Sequence, residues 1–237
     1  MKTQGKVLYD KDPEGYAYYE YKYRVEHGSL KQVLSILNCF CGDLDPFSVG
    51  IVDSIYYDSI DRKMFAECVN GDAKKSKFRI RGYGDGSYNQ IHQKRKNLSA
   101  VSKYKSKIKP VKIHNQIAPI WSDLTPQDHN CLDFQAIQAN AHNYGSLVPV
   151  IRVKYKRHRY RIYDYRMTLD TNIEVQELSS FINRSEIVTR SHIFPFHVLE
   201  IKTREDRPDL PFLGVLSLPQ ISCSKFMLGF NYLTGND

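Results

Sequence analysis

The chain has 237 residues, enough to bury a sizeable core, and its 34 Lys and Arg against 26 Asp and Glu leave a net charge of +8. That balance favours an anionic partner: phosphate, nucleic acid or an acidic membrane surface. Five cysteines without a C-x-x-C pair argue against a disulfide framework or zinc knuckle and suit a reducing compartment, and no apolar run approaches the ~20 residues that span a bilayer, so the expected location is cytoplasmic.

Residues 16–25 (YAYYEYKYRV) are aromatic and β-branched enough for a strand, and Gly28-Ser29 opens an amphipathic helix carrying Leu30, Val33, Leu34 and Leu37. A second strand is predicted over 49–57. A turn-rich region through Asn70-Gly71-Asp72 follows, then a hairpin of 77–83 and 87–96 about Gly84-Asp85-Gly86. Lys103 to Lys109 reads as a strand ending before Pro110, 115–126 as a connection, and Thr125-Pro126 as the start of a helix from Gln127 to Asn143. Further strands are predicted at 148–157, 159–170, 172–178 and 196–203, with a Pro-flanked apolar tail, helical in part, from Leu210 to Leu233. With no repeat, low-complexity tract or linker, the expectation is one domain over 1–237. Its class is α+β: seven to nine mainly antiparallel strands forming a barrel or tunnel, with helices packed outside.

The charges carry the functional signal. Residues two apart on a strand point the same way, so Lys77, Arg79 and Arg81 share one face while Phe78 and Ile80 take the other. Enclosed cations about 6 Å apart repel by roughly 3 kcal/mol per pair at an effective dielectric near 20, which a polyanion would relieve. The spacing recurs in Glu20/Lys22, His92/Lys94/Lys96, Lys103/Lys105/Lys107/Lys109, Arg157/Arg159/Arg161, Arg166/Thr168/Asp170 and Glu200/Lys202. Each strand alone also fits a solvated face.

Glu20-x-Lys22 admits two readings, a metal-binding Glu20 beside a phosphate-binding Lys22, or an ion pair. Glu200-x-Lys202 repeats the arrangement in a more apolar strand, where a carboxylate suits a hard cation such as Mg²⁺. Arg157 and Arg166 lie on two arms of one expected hairpin, and both could grip one polyphosphate bidentately. Asp170 could pair with an arginine or help hold metal. Ser224-Lys225 could cap the tail and aim an amine at a ligand. No phosphate loop, dinucleotide fingerprint, nucleophile elbow or H-E-x-x-H motif is present.

Taken in order, these segments resemble the vacuolar transporter chaperone (VTC) domain, a polyphosphate polymerase domain of the CYTH-like triphosphate tunnel metalloenzyme superfamily. The resemblance runs over about 16–232, through Glu20-Tyr-Lys22-Tyr23, Tyr56-Tyr57-Asp58-Ser59, Lys77 to Gly84, Lys94-Arg95-Lys96, Tyr155-Lys-Arg157, Arg166 to Asp170, Leu199 to Lys202 and Ser224-Lys225-Phe226. It implies an antiparallel eight-stranded tunnel whose inward cations hold a triphosphate, and transfer of the ATP γ-phosphate to a growing inorganic polyphosphate chain with release of ADP. By the same resemblance Lys22, Arg79, Arg81, Lys94, Arg157, Arg166, Lys202 and Lys225 would contact phosphate, with Lys103 and Lys105 on a further basic strand. Glu200 would bind Mn²⁺ or Mg²⁺, and Tyr155 would sit near the nucleotide. Two positions depart from the family pattern. His92-Gln93-Lys94 stands where an E-x-K is usual, and Tyr18 stands where an arginine is expected. The membrane-spanning domains of some fungal members are not in this sequence, so a membrane link would need a partner protein. The alternatives are a triphosphatase of the same fold and a non-catalytic polyphosphate- or nucleic-acid-binding module using the basic strip from Lys94 to Lys112. The strip lacks a recognition helix, so nucleic acid is not the expected partner.

Overall fold

The computed structural model describes residues 19–41, 48–84, 86–98, 100–113, 117–128, 131–178 and 190–235. The start of the first predicted strand, Tyr18 and Asp85 lie outside these residues. The elements in chain order are β1 (Tyr19–Glu26), α1 (Leu30–Cys41), β2 (Val49–Ser59), α2 (Lys63–Val69), β3 (Lys74–Tyr83), β4 (Ser87–Asn97), β5 (Ala100–Lys112), α3 (Leu132–His142), β6 (Leu147–Ile162), β7 (Tyr165–Glu177), β8 (Ser191–Ile193), β9 (Phe196–Thr203), α4 (Pro211–Leu216) and α5 (Lys225–Thr234). The class is the expected α+β. The strands hydrogen-bond in the order β1-β9-β7-β6-β2-β3-β4-β5, with β8 beside β7.

Two compact units share these elements: one takes residues up to Ile51, Tyr155–Ile173 and Ile193–Cys223, the other Val52–Lys154, Glu174–His192 and Ser224 onward. In the first unit, β1 pairs antiparallel with β9, and β9 with β7. The alternation predicted from sequence sorts their faces: Val25, Met167, Leu169, Leu199 and Ile201 pack with Val33 and Leu37 of α1 and Phe212 of α4, leaving the other face to the charged residues. The outer edge of β1 is covered by 219–221, where Arg24 N donates to Pro219 O (2.9 Å) and Ile221 N to Lys22 O (2.8 Å).

In the second unit, Ile55, Tyr57, Phe78, Ile80, Ile91 and Ile108 pack with Trp121 and with Phe134 and Ile137 of α3. Where the sequence reading placed only turns, α2 forms. The Asp58 carboxylate supplies its missing caps, accepting from Met64 N (2.9 Å) and Phe65 N (3.0 Å), while Ser59 Oγ accepts from Lys63 N (3.0 Å). These caps come from the preceding strand, which a window on 60–72 does not reveal.

β5 runs through Pro110 rather than stopping before it. Its register to β4 shifts between Tyr88/Gln90, from Val111 to Lys107, so Pro110 sits in the irregularity and withdraws no ladder bond. α3 begins at Leu132, later than predicted, because Thr125 to Gln127 is held extended by β5: Lys109 N donates to Thr125 O (3.0 Å) and Gln127 N to Lys107 O (3.1 Å). The predicted breaks near 158 and 171 are absent. β6 continues to Ile162 and turns at Tyr163 (φ 48°), and β7 passes Asn172 as a left-handed residue (φ 50°) without ending. Gly82 is required where β3 shifts register against β4, since a Cβ there would meet Ser87 O at 2.0 Å.

Among the described residues no helix is long and apolar enough to cross a membrane.

Candidate functional site

The charged face of the first unit is a checkerboard. Across the β1/β9 ladder Glu20 stands opposite Lys202 and Lys22 opposite Glu200, and across β7/β9 Arg166 stands opposite Lys202 and Thr168 opposite Glu200. The Lys22 ammonium lies 2.7 Å from Glu20 and donates to Cys223 O at 2.9 Å. The Lys202 ammonium reaches both acids, at 3.4 Å from Glu200 and 3.9 Å from Glu20. The ion-pair reading of Glu20 and Lys22 is therefore realised, but not as an isolated surface pair: the two carboxylates are only 6 % and 13 % exposed, and they share a cation.

Beyond this cluster, Arg157 Nε and Nη2 donate to the two oxygens of Asp170 at 2.6 and 2.8 Å, and Asp170 is fully buried. Of the two roles open to Asp170, this chelate makes it an arginine partner. The guanidinium also lies over the Tyr155 ring, 5.3 Å from its centroid. Burial lowers the pKa of Arg157, but Tyr155 and Asp170 outweigh it and hold the group well above its ordinary value.

The donors suit a hard divalent cation. Glu20 and Glu200 supply oxygen only, and Mg²⁺ characteristically takes one or two carboxylates and leaves its remaining positions to water and substrate phosphates. Thr168 Oγ1, opposite Glu200, is buried without a hydrogen-bond partner, so a bound water or oxyanion has a donor waiting for it. Among the described residues no cluster of three or more His, Cys, Asp or Glu side chains could hold a metal by itself.

The second unit carries rows of cations across β3, β4 and β5. Lys77 pairs with Lys94 and Lys94 with Lys103, Arg79 with His92 and His92 with Lys105, Arg81 with Gln90 and Gln90 with Lys107. Ser54 and Tyr56 of β2 stand beside Arg81 and Arg79. None of these rows contains a carboxylate. Like charges facing each other across a ladder oppose folding, by up to about 3 kcal/mol for charges about 5 Å apart at an effective dielectric of 20.

Neutral groups aim the arginines. Arg79 Nη1 donates to Tyr56 OH (3.1 Å), its Nε donates to His92 Nδ1 (3.3 Å), and Arg81 Nε donates to Ser54 Oγ (3.0 Å). His92 Nε2 lies 3.1 Å from Gln90 Oε1, which assigns its proton to that nitrogen. Burial, reinforced by Arg79, Arg81, Lys105 and Lys103, pushes the His92 pKa well below its usual value, so the imidazole stays neutral. His92 thus keeps an acceptor for Arg79 while contributing no negative charge to its row. Tyr56 shows the opposite balance: burial raises its pKa, but Arg79, Arg81 and Lys77 more than offset this and lower it to about 8.

Lys225 opens α5. The preceding Ser224 caps that helix, its Oγ accepting from Met227 N at 3.4 Å and from Lys77 Nζ at 2.7 Å. The capping role expected of Ser224 is present. Lys77 and Lys107 join these rows as the alternate-residue spacing predicts, whereas Ser54 and Tyr56 face the arginines through a β2/β3 register that no motif encodes.

Of the expected site residues, Lys22, Tyr155, Arg157, Arg166, Lys202, Glu20 and Glu200 fall in the first unit, and Arg79, Arg81, Lys94, Lys103, Lys105 and Lys225 in the second. Comparison with known proteins bears on the fold. A candidate adenylate cyclase from Bacillus halodurans has a similar structure (TM-score 0.55, 13 % identity, covering 89 % of this chain and 95 % of that one). So does a candidate adenylyl cyclase from Hippeastrum with a dominant triphosphatase activity (TM-score 0.51, 15 % identity, 90 % and 94 % covered). At such identities the likeness is one of fold. No curated protein matches the chain in sequence. The family model of the VTC domain matches residues 17–234.

Proposed function

The chain belongs to the VTC domain family, and from that premise we propose that it is a metal-dependent polyphosphate polymerase, moving the γ-phosphate of ATP onto inorganic polyphosphate and releasing ADP. The observation that carries the reading is the set of carboxylate-free rows running from Lys77, Arg79 and Arg81 to Lys94, Lys103 and Lys105. Surplus charge on buried or half-buried strands is a cost in the empty protein that a bound polyanion removes, and guanidinium groups match phosphate oxygens bidentately.

Little base catalysis is required, because the terminal phosphate of the acceptor chain is already an oxyanion nucleophile. Positioning and charge stabilisation then supply most of the acceleration. By the family resemblance Lys22, Arg157, Arg166 and Lys202 of the first unit and Lys225 of the second would each contact phosphate, Tyr155, which lies beside Arg157, would serve the nucleotide, and Glu20 with Glu200 would hold Mn²⁺ or Mg²⁺. Such an ion would neutralise phosphate oxygens and the negative charge that builds on the departing ADP as the acceptor oxyanion attacks.

A second reading, a triphosphatase with water as acceptor, draws on the triphosphatase activity of the similar Hippeastrum protein. Product length separates the two. Pure protein incubated with ATP and Mn²⁺, with and without a short polyphosphate primer, should yield long chains on a gel. Orthophosphate or pyrophosphate alone would overturn the polymerase in favour of the hydrolase.

A further inference from the structure

The side of the second unit's sheet opposite the cation rows holds a cavity of about 320 Å³ between β4 and the end of α3, lined by Gln93, Arg95, Asn140 and Asn143, with Glu67, Ser76 and Tyr144. Gln93 and Arg95 alternate with His92 and Lys94, so nothing bound here shares the face on which His92 and Lys94 lie.

The Glu67 carboxylate and the Gln93 amide oxygen are already used. Glu67 takes Ser76 N on one oxygen and Tyr144 OH on the other, both at 3.0 Å, and Gln93 Oε1 takes Asn140 Nδ2 at 3.0 Å. One donor is left over: Gln93 is only 1 % exposed, and its Nε2 has no hydrogen-bond partner. Buried polar groups in native proteins are nearly always paired, so an orphaned amide lining a roomy polar cavity indicates a missing acceptor. The Arg95 guanidinium beside it selects an acceptor that is also an anion. At about 320 Å³ the space is at the lower limit of small-molecule sites and holds roughly ten waters at about 30 Å³ each.

We propose that this cavity is a second binding site, separate from the phosphate-binding cations, for an oxyanion-bearing metabolite of about ten non-hydrogen atoms whose oxygens accept from Gln93 Nε2 and Arg95. The ligand's carboxylate or phosphate reaches Arg95 and its polar body lies along Asn140 and Asn143. The site lies outside the proposed transfer chemistry and holds whether or not the chain polymerises phosphate.

The test follows the side-chain amide resonances of Gln93, Asn140 and Asn143 by ¹⁵N NMR in protein saturated with tripolyphosphate, titrated separately with glycerol phosphate and citrate. The expected result is a saturable shift of the Gln93 amide with one probe, which names the oxyanion. That affinity should weaken by about tenfold in Arg95→Ala and in Asn143→Ala, both exposed substitutions that leave the core intact, and vanish in Gln93→Leu. Tripolyphosphate binding should be unchanged in all three. No saturable shift with either probe up to roughly 10 mM would mean that the cavity holds only water and would overturn the proposal. A shift that Arg95→Ala and Asn143→Ala leave unaltered would overturn it equally.

Discussion

Arg157→Ala should damage the protein in two separable ways. Asp170 is fully buried and both its oxygens are held by Arg157, at 2.6 and 2.8 Å. Deleting the guanidinium strands a buried carboxylate, which costs about 3–5 kcal/mol, a large part of the 5–15 kcal/mol typical of a folded protein. It also removes one proposed phosphate ligand, worth on the order of 3 kcal/mol of transition-state stabilisation, or about a hundredfold in rate. The double variant Arg157→Met/Asp170→Leu separates the effects, because replacing a whole buried ion pair with apolar groups is near neutral or stabilising. Urea unfolding followed by circular dichroism should show a strongly lowered midpoint for the single variant and recovery in the double, while polyphosphate synthesis stays about a hundredfold down in both. A wild-type midpoint for Arg157→Ala would refute the burial argument. Recovery of activity along with stability in the double variant would refute the assignment of Arg157 to phosphate.

Four further outcomes follow from the geometry. Tyr56 should ionise near pH 8, seen at 295 nm as the difference between wild type and Tyr56→Phe, and bound tripolyphosphate should move that titration upward by screening Arg79 and Arg81; an ordinary tyrosine titration would contradict the contact with Arg79. Glu200→Gln should raise the Mn²⁺ concentration needed for half-maximal activity by at least about tenfold with little change in thermal midpoint, and an unaltered Mn²⁺ profile would remove Glu200 from the metal site. Gly82→Ala should destabilise by about 3 kcal/mol, since the added methyl meets backbone rather than a movable side chain; a wild-type denaturation curve would exclude the clash. Buried His197 has a pKa lowered to about 4 by burial and by His27, so on acidification the unfolded chain takes up its proton first, and stability is lost as pH falls from about 6.5 to about 4. The loss is on the order of 3 kcal/mol, should flatten in His197→Phe, and would be disproved by a pH-independent difference between the two proteins.

Strand periodicity was legible because it is a local property: Lys77 to Arg81 and Leu199 to Lys202 each place charge on one parity and apolar groups on the other, and the two faces separate as the alternation requires. The end of β1 near Val25, the helix after Gly28 and the capping Ser224 were legible for the same reason. What failed depended on partners distant in sequence. Pro110 looked like a stop until β4 supplied a shifted register, and Thr125-Pro126 looked like a helix start until β5 held it extended.

The candidate site divides along the same line. Residue type and spacing alone determined which side chains carry charge and which strand face they occupy, because a strand's pleat assigns its faces without outside help. Only the tertiary structure decided who meets whom. Register set Glu20 against Lys202, gave Asp170 to Arg157 instead of to a metal, and put the neutral His92 against Arg79. A one-residue slip between strands would exchange every such partner without altering any motif, since cross-strand pairing is a relation between separate segments that neither one encodes by itself.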